Sequence, residues 1–255
     1  MTDRPLRALV TGGSTGLGAA IARGLAERGY HVTIVSRDPQ KLDDVLEQIP
    51  GTDHRRVTLD LSVPAGAEVL CHLLREERFD LLVNNAGAAR FGALTALDAD
   101  TVRRHLQLNL VTPALASRTF LAGAPPGACL VNVTSIVGTL PLPGNAVYSA
   151  ARAGLQALTA CLSYEARKEV RVLDFRPVGL QTDFHRSAGG ESMGVRMAAE
   201  PTDAARDLIN AIERRRTFVY TYGPLAKVLE CAKRLLPGRW LIRIMGRKAR
   251  RAGYL

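Results

Sequence analysis

The segment that most limits how this chain can fold runs from Leu9 to Gly29, LVTGGSTGLGAAIARGLAERG. An apolar, β-rich run passes through a glycine-rich turn into an amphipathic helical pattern. The glycines are spaced Gly12-x3-Gly16-x-Gly18. Without a Cβ, glycine permits the tight turn and lets a pyrophosphate approach the backbone. The helix that follows presents unpaired N–H groups to the same phosphates. Gly12, Ser14, Thr15, Gly16, Leu17 and Gly18 are therefore candidate cofactor contacts.

The rest of the chain repeats this alternation. LRALVTG, HVTIVS, RRVTLDL, FDLLVNNAG, GACLVNVTS, VRVLDFRP and TFVYTY read as strands. Helical patterns lie between them at Leu17–Arg28, Gln40–Gln48, Ala67–Glu77, Asp100–Leu121 and Val147–Lys168. Several strands, CLVNV among them, are nearly all apolar, as parallel strands covered on both faces must be. The pattern predicts an α/β fold, a doubly wound parallel sheet of about seven strands. With 255 residues, 47% of them hydrophobic, the chain can bury a large core. Residues 1–222 read as one domain and 223–255 as a basic, helical tail.

Composition excludes several classes. No apolar run reaches the length of a membrane span, and the N-terminus reads as a first strand, not a leader. Cys71, Cys129, Cys161 and Cys231 are widely spaced and read as small core residues of a cytoplasmic protein. Of the net charge of +10, the segment from Lys227 onward carries nine cations and one acid, hence +8. A nearly neutral body argues against nucleic-acid binding.

The second strand selects a cofactor. It ends at Ser36, eighteen residues after Gly18. A site for NAD places a carboxylate there to bind the ribose 2′-OH. Here a neutral serine is followed by Arg37, whose guanidinium suits a 2′-phosphate. Asp38, ahead of Pro39, reads as a helix cap. NADP(H) is expected.

TGGSTGLG (Thr11–Gly18), NNAG (Asn84–Gly87), Asp60 in LDLS, Asn109 in LQLN, Ser135 in NVTS and Tyr148 together resemble the short-chain dehydrogenase/reductase family. The resemblance covers roughly residues 6 to 183. It implies a Rossmann-type sheet of seven parallel strands, a nicotinamide cofactor and hydride transfer to or from a carbonyl carbon. It further implies adenine contacts from Asp60 with Leu61, a cofactor wall of Asn84, Ala86 and Gly87, and a carboxamide contact from Thr182. Ser135 and Tyr148 stand thirteen residues apart, as the family's serine and tyrosine do, and Asn109 takes the place of an asparagine that supports a bound water.

Two tyrosines precede a cation by four residues: Tyr148 with Arg152, and Tyr164 with Lys168. On one helix the second pair lies roughly 24 Å beyond the first, at about 1.5 Å per residue. The site pair is then Tyr148 and Arg152, with arginine where the family has lysine. Arginine keeps the bond to the ribose and the charge beside the phenol. It cannot relay a proton, because guanidinium does not deprotonate in proteins. Pro177-Val178 also replaces the family's Pro-Gly.

Residues 183–200 read as a substrate lid, with His185 a solvated loop residue. The tail reads as two helices broken at Pro237-Gly238. In the second, Arg239, Arg243, Arg247 and Arg250 recur opposite Leu241, Ile244 and Met245, with Trp240 at the flank. Such a helix either packs on the body or a subunit or lies on an anionic membrane. The expected activity is a ketoreductase or alcohol dehydrogenase for a hydrophobic carbonyl or alcohol substrate. Non-redox chemistry around a retained cofactor, or an inert binding role, are the alternatives. The resemblance implies a homodimer or homotetramer, and no metal is expected.

Overall fold

The structure is a computed structural model that describes residues 4–177, 180, 199–214, 219–222, 238–251 and 253. Seven strands form one parallel sheet: β1 (Arg7–Thr11), β2 (His31–Ser36), β3 (Arg55–Thr58), β4 (Leu81–Asn84), β5 (Cys129–Val133), β6 (Arg171–Pro177) and β7 (Val219–Tyr222). Their order is β3-β2-β1-β4-β5-β6-β7, so the chain reverses its direction of travel between β1 and β4. Open α/β sheets bind ligands at such a switch point, beyond the carboxyl ends of the strands.

Side-chain alternation covers both faces. Ala8 and Val10 of β1, Leu81 and Val83 of β4, and Val131 and Val133 of β5 join one core. That core includes Ile21 and Leu25 of α1 (Gly16–Ala26) and Leu208, Ile209 and Ile212 of a later helix, Pro201–Glu213. Leu9, Leu82 and Leu130, one residue out of phase, join the opposite core with Leu70, Leu74, Ala116 and Phe120. The last four come from α3 (Pro64–Glu76) and α5 (Thr112–Gly123).

Local chemistry sets the helix starts. α2 (Pro39–Leu46) begins with proline, and the Asp38 side chain accepts from the Lys41 N–H at 3.2 Å. The predicted Asp100–Leu121 helix is three pieces: α4 (Ala99–Leu106), a π-helical turn at Gln107–Val111, and α5. The widened turn carries Asn109, and Pro113 follows it. A short α6 (Ile136–Thr139) leads into α7 (Ala146–Glu165), then α8 (Pro201–Glu213) and α9 (Gly238–Arg251).

Three expectations change. Helix α7 ends at Glu165, where Ala166 turns to extended backbone (ψ 148°), so Lys168 is not on the helix that carries Tyr164. Cys161 is exposed on α7 rather than buried, because it sits on the face turned from the sheet; Cys71 and Cys129 are buried. The helix α8 falls in a stretch left without a helical reading. Val178, Gly179, Thr182, His185, most of the lid, Cys231 and the first tail helix lie outside the described residues.

Candidate active site

A cleft of about 480 Å³ runs along the carboxyl edge of the sheet, from Arg37 and Lys41 to Tyr148 and Leu180. At one end the strand–turn–helix unit supplies Gly12, Ser14, Thr15, Gly16, Leu17 and Gly18. Gly12 has φ +67°, and a Cβ on Gly18 would fall 2.0 Å from the Gly12 carbonyl oxygen. The turn is thus closed against the helix at a distance that only glycine allows. Thr15 caps α1 without a side-chain hydrogen bond. The first N–H groups of α1 therefore have no intrahelical or side-chain acceptor and face the cleft.

Ser36 and Arg37 continue the wall, with Ser14 Oγ and Ser36 Oγ 2.8 Å apart. Lys41 also lines this end. Helical side chains lean toward the helix N-terminus, so a lysine in the first turn of α2 points back to the cleft. That signal was available in the sequence. Asp60 and Leu61 line the same end. Burial works to raise the Asp60 pKa. Hydrogen bonds from the Ser62 hydroxyl and N–H, with the charges of Arg104 and Arg37, outweigh it and hold the carboxyl below its usual range.

The NNAG segment divides. Ala86 and Gly87 line the cleft, but Asn84 does not. Its side chain points into the core and donates to Asn132 Oδ1 at 2.9 Å, Ser117 Oγ at 3.1 Å and the Pro113 carbonyl at 3.3 Å. Strand alternation decides this, because Asn84 follows Leu82 onto that face and pairs in register with Asn132. Asn85 lines the cleft instead, donating to the carbonyls of Thr11 (2.9 Å) and Gly12 (3.2 Å).

Ser135, Tyr148 and Arg152 meet at the other end. The Ser135 hydroxyl accepts from the Val137 N–H at 3.2 Å as the cap of α6, which leaves its own proton to be donated. Gln156 of α7 donates to the Ser135 carbonyl at 2.7 Å and fixes the loop from behind. Tyr148, in the first turn of α7, is 7% exposed. Tyr164, by contrast, is 93% exposed and far from the cleft lining.

Arg152, one turn after Tyr148, is 3% exposed. Its Nη1 donates to the Val133 carbonyl at 3.1 Å, and its Cζ lies 5.1 Å from the centroid of the Tyr148 ring. Among the described residues no carboxylate pairs with it, and its Nε has no hydrogen-bond partner. A Cβ on Gly87 would fall 2.0 Å from Arg152 Nη2 and 2.9 Å from Asn109 Oδ1. Glycine at position 87 makes room for the guanidinium. Asn109 itself is fully buried and does not line the cleft. It donates to the carbonyls of Ala88 (2.9 Å) and His105 (2.8 Å) and accepts from the Ala88 N–H (3.2 Å). Its side chain ties the Ala88 loop to the π turn. Phe91, Ile136, Val137, Leu142 and Asn145 complete this end, and sequence patterns gave no warning of them because they come from loops and from α6, a helix of four residues too short to show a period.

Residues 7–192 match the family model described as short chain dehydrogenase. The chain belongs to the short-chain dehydrogenase family. It is 30% identical over 219 residues to carbonyl reductase family member 4 of Danio rerio, covering 81% of this chain and 90% of the relative. It is 32% identical over 205 residues to the 3-oxoacyl-(acyl-carrier-protein) reductase FabG of Vibrio cholerae, covering 78% and 84%. A solved short-chain dehydrogenase from Sphingobium yanoikuyae in complex with NADPH superposes with a TM-score of 0.79 at 26% identity, over 90% of this chain and 93% of that one. As a member of an oxidoreductase family with reductase relatives, the chain is an SDR oxidoreductase.

Proposed function

We propose that this oxidoreductase is an NADPH-dependent ketoreductase acting on a hydrophobic carbonyl compound. The observation that carries the reading is a single cleft joining two cations, Arg37 and Lys41, to a buried Ser135–Tyr148–Arg152 cluster. The cleft fits the dinucleotide: its turn is closed by glycines, the α1 N-terminus is uncapped, and Arg152 Nε is a buried donor awaiting an acceptor. The NADPH bound by the Sphingobium neighbour supports the same choice.

Gly12, Ser14, Thr15, Gly16, Leu17 and Gly18 would hold the pyrophosphate, Ser36, Arg37 and Lys41 the 2′-phosphate, and Asp60 and Leu61 the adenine. Ala86, Gly87 and Thr182 would border the nicotinamide half. The cofactor, when bound, supplies the hydride to the carbonyl carbon. The Tyr148 phenol gives the carbonyl oxygen its proton, and Ser135 donates a hydrogen bond to the same oxygen, so that the developing negative charge is met by two donors. Arg152 holds the ribose and keeps a fixed positive charge against the phenol ring. Asn109 supports the loop that carries Gly87. Phe91, Ile136, Val137 and Leu142 make the substrate end apolar, in keeping with a hydrophobic substrate. The working unit is a homodimer or homotetramer.

The test is NADPH oxidation over a panel of hydrophobic ketones, with NADH as control. Activity with NADPH and at least tenfold less with NADH is expected. Arg152→Lys, assayed on one accepted ketone, is expected to lose activity, because the pocket around Gly87 is shaped to a guanidinium. A large gain would mean that arginine impairs the site. A second reading has one observation behind it: Arg152 is bound to the Val133 carbonyl and cannot pass on a proton. Product formation without net cofactor turnover would select that non-redox reading.

A further inference from the structure

We propose that α9 is a docking surface for an anionic lipid bilayer that turns the substrate end of the cleft toward the lipid. The substrate is then a bilayer-resident ketone, a statement that rests on the reductase reading above. The sequence of α9, GRWLIRIMGRKARR, holds six Lys or Arg and no acid. Arg243, Arg247, Arg250 and Arg251 are exposed. Trp240, Ile242 and Ile244 are also exposed, at 61%, 47% and 45%. Large apolar groups set among guanidinium groups match the headgroup region of an anionic bilayer, where phosphates meet the cations and acyl chains receive the apolar side chains.

The helix is fixed to the body at its other end. Ala249 is fully buried, and a Cβ on Gly246 would stand 3.7 Å from Pro143 Cγ. Pro143 directly follows Leu142, which lines the cleft, and lies two residues before Asn145, which also does. The Gly144 carbonyl accepts from the Gly92 N–H at 2.8 Å, which ties this rim to the Phe91 loop. From Gly246 back to Trp240 is about 9 Å along the helix axis. The exposed apolar half of α9 thus begins beside the cleft rim.

Charge separates the possible occupants. The body before Lys227 carries only +2 of the +10, so no broad basic surface backs a nucleic-acid partner. A symmetric contact with α9 of a second copy would set six cations against six. Phosphate headgroups answer that charge.

Trp240 is the chain's single tryptophan, so its fluorescence reports this helix alone. The full chain, saturated with NADPH, is mixed with phosphatidylcholine vesicles with and without about one-third phosphatidylglycerol. A blue shift and flotation with the anionic vesicles, both reversed by high salt, are expected. The triple variant Arg243→Gln, Arg247→Gln, Arg251→Gln is expected to weaken binding on the order of a hundredfold. Its reduction of a small water-soluble ketone stays unchanged, and its rate on a long-chain ketone held in anionic vesicles falls at least tenfold. No blue shift, equal binding to neutral vesicles, or tail-dependent self-association without lipid would overturn docking. Vesicle binding with no NADPH oxidation on any ketone would sink the reductase reading and leave docking standing.

Discussion

The two ends of the cleft are built by different means. The end formed by β1, β2 and α1 is a backbone site: glycines bring Gly18 against the Gly12 carbonyl, and an uncapped helix start faces the cavity. The end formed by β5, α6 and α7 is a side-chain site, where Ser135, Tyr148 and a buried Arg152 are held by a cap, a helix turn and a single carbonyl bond. A backbone site tolerates sequence drift as long as its glycines remain. A side-chain site can change its chemistry with one residue, which makes Arg152 the position to test.

The contrast is sharpest if each end is broken alone. Tyr148→Phe removes the proposed proton donor and leaves the backbone site intact. The expected loss in kcat is on the order of a thousandfold, with NADPH affinity within about twofold, read by steady-state kinetics and cofactor titration. Loss of NADPH binding in this variant would mean that the two ends are not separable.

Two glycine variants come next. In Gly18→Ala the new methyl meets the backbone oxygen of Gly12, and in Gly87→Ala it meets Arg152 Nη2, each at 2.0 Å. Both are expected to lose about 1–3 kcal/mol of stability, as overpacked sites do. Calorimetry measures that loss, and kinetics should divide the pair: Gly18→Ala raises the NADPH dissociation constant, whereas Gly87→Ala lowers kcat by displacing the guanidinium. Equal effects on both parameters from both variants would refute the division.

Arg37→Gln is expected to cost roughly tenfold in NADPH affinity with little change for NADH, since Lys41 still lines the pocket. A similar loss for both cofactors would move the 2′-phosphate elsewhere.

The smallest effect lies away from the cleft. Burial works to raise the Glu77 pKa, but hydrogen bonds from Arg55 and Arg7 outweigh it and leave it lowered. A carboxyl whose folded pKa lies below its unfolded one contributes stability above the ordinary carboxylate range. That contribution is lost as pH falls through the folded value. Thermal stability should therefore drop below about pH 4, and Glu77→Gln should flatten that part of the profile while leaving the cleft unchanged.

The sequence by itself determined the β-α alternation, the glycine turn and the Asp38 cap. Each follows from a local rule: an apolar period, a steric need for glycine, or a cap beside proline. Only the tertiary structure decided what those rules cannot carry. It turned Asn84 into the core through its register with Asn132, put Asn85 at the cleft, and left Cys161 exposed on the outer face of α7. It also brought Gly87, Asn109 and Arg152 together from three separate segments and set α9 beside Pro143. Those contacts join residues distant in the chain, so no short window of sequence contains both partners, and only packing between elements selects them.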